Sequence, residues 1–167
     1  MKRKNIILTG FMASGKTVVS NRLGELLERE VFSIDSIIEK REGKEISDIF
    51  NESGEAYFRK AEKEVIREIS KKEGIIIDCG GGVVLDKENI DHLSKSGVIF
   101  FLSAPPTLIH ARIRGKKNRP LLNVEDPLDA IKKLTELRQP LYACANYTIK
   151  VDEKTIDEVC EEIITKL

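Results

Sequence analysis

Gly10-Phe-Met-Ala-Ser-Gly15-Lys16-Thr17 follows directly on the run Asn5-Ile-Ile-Leu-Thr9, and Val18, Val19, Leu23, Leu26 and Leu27 come after it at helical spacing. The apolar run reads as a strand and the periodic segment as a helix. The stretch between them matches G-x-x-x-x-G-K-[ST] in the strand–turn–helix context that gives the pattern meaning. Its glycines let the backbone wrap an anion. The N–H groups along Ala13, Ser14 and Gly15 stand before a helix N-terminus, where partial positive charge collects. Lys16 would reach the β- and γ-phosphates of a nucleotide, and the Thr17 hydroxyl would bind Mg²⁺. The pattern requires glycine only at positions 10 and 15, so Ala13 does not disturb it. This segment predicts a nucleoside triphosphate and Mg²⁺ but leaves the phosphate acceptor open.

Outward from the loop, short β-branched runs alternate with longer amphipathic stretches, the pattern of a parallel sheet flanked by helices. A second run spans Val31 to Ile34, and a charged helical region extends from about Ser36 to Lys72. That region is interrupted near Gly43 and at Asn51-Glu-Ser-Gly54, and Gly74 is its expected C-cap. The third run, Ile75 to Asp78, is continuously apolar before its aspartate, as for a strand buried on both faces. A helix is expected from Asp86 to Gly97, and a fourth run covers Val98 to Leu102. Pro105-Pro106 fit a loop or a first helical turn, Asp126-Pro127 an N-cap and N1, and Thr155-x-x-Glu158 a capping box. With a last strand at Tyr147 to Val151, the reading is a three-layer α/β/α fold with five strands.

The chain has 167 residues, enough for one domain of its own core, here taken as 1–167. Its 28 basic and 28 acidic residues cancel, which argues against a general nucleic-acid or membrane-surface binder. Cys79, Cys144 and Cys160 form no C-x-x-C pair and read as reduced thiols of a cytoplasmic protein. Met1-Lys2-Arg3-Lys4 leads into only five residues before Gly10, too few for a signal or membrane span.

Three further clusters bear on the acceptor. Asp35 closes Phe32-Ser33-Ile34-Asp35, so its carboxylate belongs to the C-terminal edge of the sheet, where open α/β folds bind ligands. Phe50 precedes Gly54-Glu55-Ala-Tyr-Phe58-Arg59-Lys-Ala-Glu62, in which Glu62 can orient the Arg59 guanidinium from i+3. Cys79-Gly80-Gly81-Gly82-Val83 follows the third strand, and its glycines let backbone N–H groups approach a small ligand. Taken alone, Arg59 and Glu62 also fit a surface helix pair, and Phe50 and Phe58 fit plain core.

Together with the phosphate loop, these clusters resemble the shikimate kinases over essentially the whole chain. So do Arg112, Arg119-Pro120-Leu121-Leu122 and Arg138-Gln-Pro140-Leu141-Tyr142. The resemblance implies a nucleoside monophosphate kinase-like sheet of strand order 2-3-1-4-5. The implied reaction passes the γ-phosphate of ATP to the 3-hydroxyl of shikimate, on the route to chorismate and aromatic amino acids. Asp35 would serve as base or orient the accepting hydroxyl, and Arg59 and Arg138 would clamp the carboxylate. Gly80, Gly81 and Gly82 would line the ring, with Phe50 and Phe58 as apolar walls, in a substrate segment of about 33–62. Arg119 would reach the transferring phosphoryl group from a lid at about 113–126, and Arg112 would lie near adenine. The expected protein is a monomer whose partners are shikimate and ATP.

Two positions depart from the family. Ser33 stands where the first aspartate of a D-x-D pair, associated with Mg²⁺, is usual, and Asp78 stands where a small residue is usual. We read them as linked. An apolar strand ending in aspartate has the form of a Walker B strand, so Asp78 would join Thr17 as a metal-side residue; the plainer reading of Asp78 is a turn cap. The alternatives to the implied function are a gluconate or nucleoside monophosphate kinase, or a silent nucleotide-binding module, which Lys16, Asp35 and Arg119 argue against.

Overall fold

All five residues of β1 (Asn5–Thr9) are buried, because it is the middle strand of a five-stranded parallel sheet. The structure is a computed structural model and describes residues 3–114 and 124–167. With β2 (Val31–Ser33), β3 (Ile76–Asp78), β4 (Gly97–Ser103) and β5 (Tyr147–Lys150), the sheet has the order 2-3-1-4-5 that the resemblance implies. Successive strand residues face opposite sides, and helices cover both. Ile7, Ile77 and Ile99 pack against α2 (Ile34–Glu42), α3 (Ile46–Ile69) and α4 (Lys87–Ser96). Ile6, Leu8, Ile76 and Phe100 pack against α1 (Lys16–Leu27) and α7 (Ile156–Thr165). Two-sided burial explains the apolar runs of β1, β3 and β4, whereas the edge strands β2 and β5 are less buried.

One buried polar residue sets the start of the sheet. The Asn5 amide donates to the Lys72 carbonyl at 2.7 Å and accepts from the Ile75 N–H at 3.1 Å, tying the entrance of β1 to that of β3. Asn146 does similar work between β4 and β5, its Oδ1 accepting from the Ile99 N–H at 2.8 Å. The expected caps form at Asp126 and Thr155, and the helix expected from Asp86 has that residue as its N-cap. Pro106 and Pro127 sit in the first turns of α5 (Pro106–Ile113) and α6 (Pro127–Arg138). Gly54 breaks α3 with φ 82°, as its sequence context predicts.

Gly74 does not cap α3. The helix ends at Ser70, whose N–H bonds the Ile66 carbonyl, and two further turn bonds carry the chain on through Lys71 and Lys72. Gly74, at φ 71°, instead donates to the Arg3 carbonyl as the chain enters β3. Two 3-10 segments, Val83–Leu85 and Gln139–Cys144, were not legible in the sequence. Most of the expected lid, including Arg119, lies outside the described residues. Among the described residues no helix is long and apolar enough to cross a membrane.

Candidate active site

The loop between β1 and α1 closes around its own lysine. Gly15 caps α1 in the left-handed region, and the buried Lys16 ammonium donates to the carbonyls of Gly10 and Phe11, each at 2.9 Å. Arg112, on α5, donates to the Ala13 carbonyl at 2.9 Å, so its guanidinium braces the loop backbone. The loop forms one wall of a cavity of about 620 Å³. Ser33 and Asp78, which end β2 and β3, and Asp35 and Gly80, just beyond them in the chain, line it as well.

β3 lies between β1 and β2, with Asp78 in register with Leu8 on one side and Ser33 on the other. This brings the Asp78 carboxylate to the phosphate loop, where Thr17 Oγ1 donates to Oδ2 at 2.6 Å. Burial pushes this carboxyl up, against the Thr17 hydrogen bond and the charge of Lys16. Ser33 accepts from the Ser36 N–H and thereby caps α2. Among the described residues no cluster of three or more His, Cys, Asp or Glu could cage a metal. A hydroxyl and a carboxylate at one end of a phosphate loop do suit Mg²⁺, a hard cation that takes its remaining oxygens from phosphates and water.

The residues that the resemblance assigns to the acceptor converge on the glycine turn after β3. Asp35, in the first turn of α2, packs so closely on Gly80 that an added Cβ would stand 2.7 Å from Oδ1. A Cβ on Gly82 would fall within the Arg59 guanidinium. Arg59 Nη1 donates to Glu62 Oε1 at 2.9 Å, and Nε and Nη2 share Glu55 Oε1 at 3.3 Å. Arg138, 6% exposed at the end of α6, donates from Nη1 to the Gly81 carbonyl at 3.3 Å and stands over the Phe11 ring. Phe50 and Phe58 meet with ring centroids 4.8 Å apart; Phe58 is buried in the core, and Phe50 packs against it partly exposed.

Glu62 is more than a surface partner of Arg59, since it is 1% exposed and its Oε2 has no hydrogen-bond partner. Burial, reinforced by the nearby Asp35 charge and opposed by Arg59 and Arg138, raises its carboxyl to about 7. The folded-state value exceeds the ordinary 4.5, so the proton's stabilising contribution is complete below pH 4.5 and lost as pH rises towards 7. Denaturant titrations across this window should show stability falling by up to about 3 kcal/mol from this group. Glu62→Gln should flatten that slope. An unchanged slope would show that Glu62 ionises normally.

Two further contributors come from segments to which the sequence reading assigns no site role. Val151, Lys154, Thr155 and Ile156 line the same cavity as the phosphate loop, brought there by the sheet order. Tyr142 donates to the Gly81 carbonyl at 3.1 Å; its position four residues after Arg138 was the one available hint.

Residues 12–167 match the family described as Shikimate kinase. The chain is 47% identical to the shikimate kinase of Caldanaerobacter subterraneus subsp. tengcongensis, over 96% of this chain and 94% of that protein. It is 45% identical to that of Dehalococcoides mccartyi, over 99% and 94%. The solved shikimate kinase from Acinetobacter baumannii in complex with shikimate superimposes with a TM-score of 0.94, 35% identity, and coverage of 98% and 92%. A gluconokinase from Sinorhizobium meliloti, at 15% identity and a TM-score of 0.60, shares the fold alone. A match to one family over nearly the whole chain, on a sheet and a phosphate loop of the expected kind, decides the matter: the chain belongs to the shikimate kinase family.

Proposed function

We propose that this site carries out the family's reaction, transfer of the γ-phosphate of ATP to the 3-hydroxyl of shikimate, with Asp35 receiving the hydroxyl proton. The observation that carries the reading is the gathering of Asp35, Arg59, Glu62 and Arg138 around Gly80–Gly82, beside the phosphate loop. Lys16 would exchange the carbonyls of Gly10 and Phe11 for the β- and γ-phosphates. Thr17 and Asp78 would hold Mg²⁺ directly or through water, and the bound cation offsets phosphate charge. Arg59 and Arg138 would grip the shikimate carboxylate, a task suited to the planar guanidinium.

In the step itself, the shikimate oxygen forms a bond to the γ-phosphorus as the β–γ bridge breaks. The electron pair leaves with ADP. Little covalent chemistry falls to the protein, whose contribution is placement and charge stabilisation. Arg119, outside the described residues, is assigned to the transferring group on the family resemblance. The same reading assigns a cytoplasmic monomer working on two small molecules, in keeping with zero net charge.

A coupled ADP-release assay with MgATP, comparing shikimate, gluconate and a panel of nucleoside monophosphates, tests the proposal. Turnover that requires shikimate is expected. Turnover with another acceptor alone would reassign the substrate, and ATP binding without any turnover would mark a silent module.

A further inference from the structure

The Gly81 carbonyl accepts from two side chains at once, Tyr142 Oη at 3.1 Å and Arg138 Nη1 at 3.3 Å. The two donors differ in what else they can do. Tyr142 is 3% exposed, and its ring stacks on Phe101 of β4 with centroids 4.2 Å apart and planes at 8°. That stack fixes the phenol against the sheet. Burial also raises the hydroxyl to about 12, so it remains a donor at neutral pH. Arg138 ends α6, and its Gly81 bond is the longer of the two.

A guanidinium that turns towards a substrate carboxylate weakens or surrenders its bond to Gly81. A half-buried carbonyl left without a donor is costly, and far less so when its second lone pair already has a partner. We propose that Tyr142 is a positioning residue of the acceptor site: its hydroxyl keeps the Gly81 carbonyl bonded, and the Gly80–Gly82 turn in place, while Arg138 moves to the substrate. The inference rests on the assignment of Arg138 and the glycine turn to shikimate. It accounts for a buried phenol beside a turn that the glycines alone would leave loosely held.

The test is a cycle of Tyr142→Phe, Arg138→Met and the double variant. Shikimate and MgATP dissociation constants would be measured by calorimetry, with kcat and melting temperature alongside. Tyr142→Phe keeps the stack on Phe101 and should weaken shikimate binding about tenfold, with MgATP affinity and kcat nearly unchanged. In the Arg138→Met background the same change should cost almost nothing, because no guanidinium then leaves the carbonyl on binding. Additive losses, or equal losses for both ligands with a lowered melting temperature, would show a merely structural role and overturn the proposal. Wild-type shikimate affinity in Tyr142→Phe, with Arg138→Met impaired, would overturn it while sparing the assigned function. Unimpaired binding in Arg138→Met would instead remove the assignment of Arg138, and the proposal with it.

Discussion

Asp35→Asn is expected to lower kcat about a thousandfold while shikimate affinity changes by less than about tenfold. Asparagine fills the same space over Gly80 and still hydrogen-bonds a hydroxyl, so the acceptor should remain seated. What it cannot do is take a proton, and its amide turns a donor where an acceptor is needed. The substitution also removes a negative charge that helps to hold the Glu62 proton, so Glu62 should titrate at lower pH in the variant. Stopped-flow and steady-state rates with MgATP and shikimate, beside a shikimate binding isotherm, give both quantities. A kcat within tenfold of the native enzyme would reduce Asp35 to a group that orients the hydroxyl, leaving the proton to pass to phosphate or water.

Asp78→Asn should weaken the divalent ion in the ternary complex by 10- to 100-fold, the range seen when a carboxylate that holds or orients a metal's ligands is removed. The reason is geometric: Asp78 Oδ2 already bonds the Thr17 hydroxyl at 2.6 Å, so the two oxygens occupy one small region beside Lys16. Mn²⁺ binding to the enzyme–ADP complex, read by electron paramagnetic resonance, measures this without reference to turnover. Ser33 is the β2 neighbour of Asp78, and aspartate caps a helix as well as serine does. Adding Ser33→Asp to Asp78→Asn should therefore recover much of the lost affinity while α2 keeps its cap. If Asp78→Asn leaves both Mn²⁺ affinity and the Mg²⁺ requirement unchanged, the compensation between positions 33 and 78 is wrong.

Local chemistry was legible in the sequence where one segment carried it whole. The phosphate loop needed only its own eight residues and their flanks, and the caps at Asp126 and Thr155 only three or four. Asp35, Arg59 and the glycine turn could be nominated because each cluster has its own chemical signature. Their convergence depends on β3 lying between β1 and β2, and strand order has no local signal, so it was legible only through the family resemblance. Asp78 was legible as an aspartate after an apolar run, and the strand order implied by the resemblance set it beside Thr17; the direct bond between them, across 61 residues, had no signal of its own. Glu62 was visible as a partner of Arg59 at i+3, yet its burial arises from packing that helical spacing does not encode. Gly74 misled because glycine after a helix is a common cap, whereas here a positive φ was needed one turn later.

The central place of β1 also bears on how the chain is made. Synthesis proceeds from the N-terminus, and β1 takes all its backbone partners from β3 and β4, the side chain of Asn5 reaching Lys72 and Ile75. Until residues as far as Phe101 have left the ribosome, the strand keeps at least one open edge with three consecutive aliphatic side chains. Such edges are where nascent chains pair wrongly, and long loop closures delay the correct pairing. The strand on which the phosphate loop hangs is thus translated before either of its neighbours and must wait for both, so mutations that slow β4 docking should raise chaperone dependence before they touch catalysis.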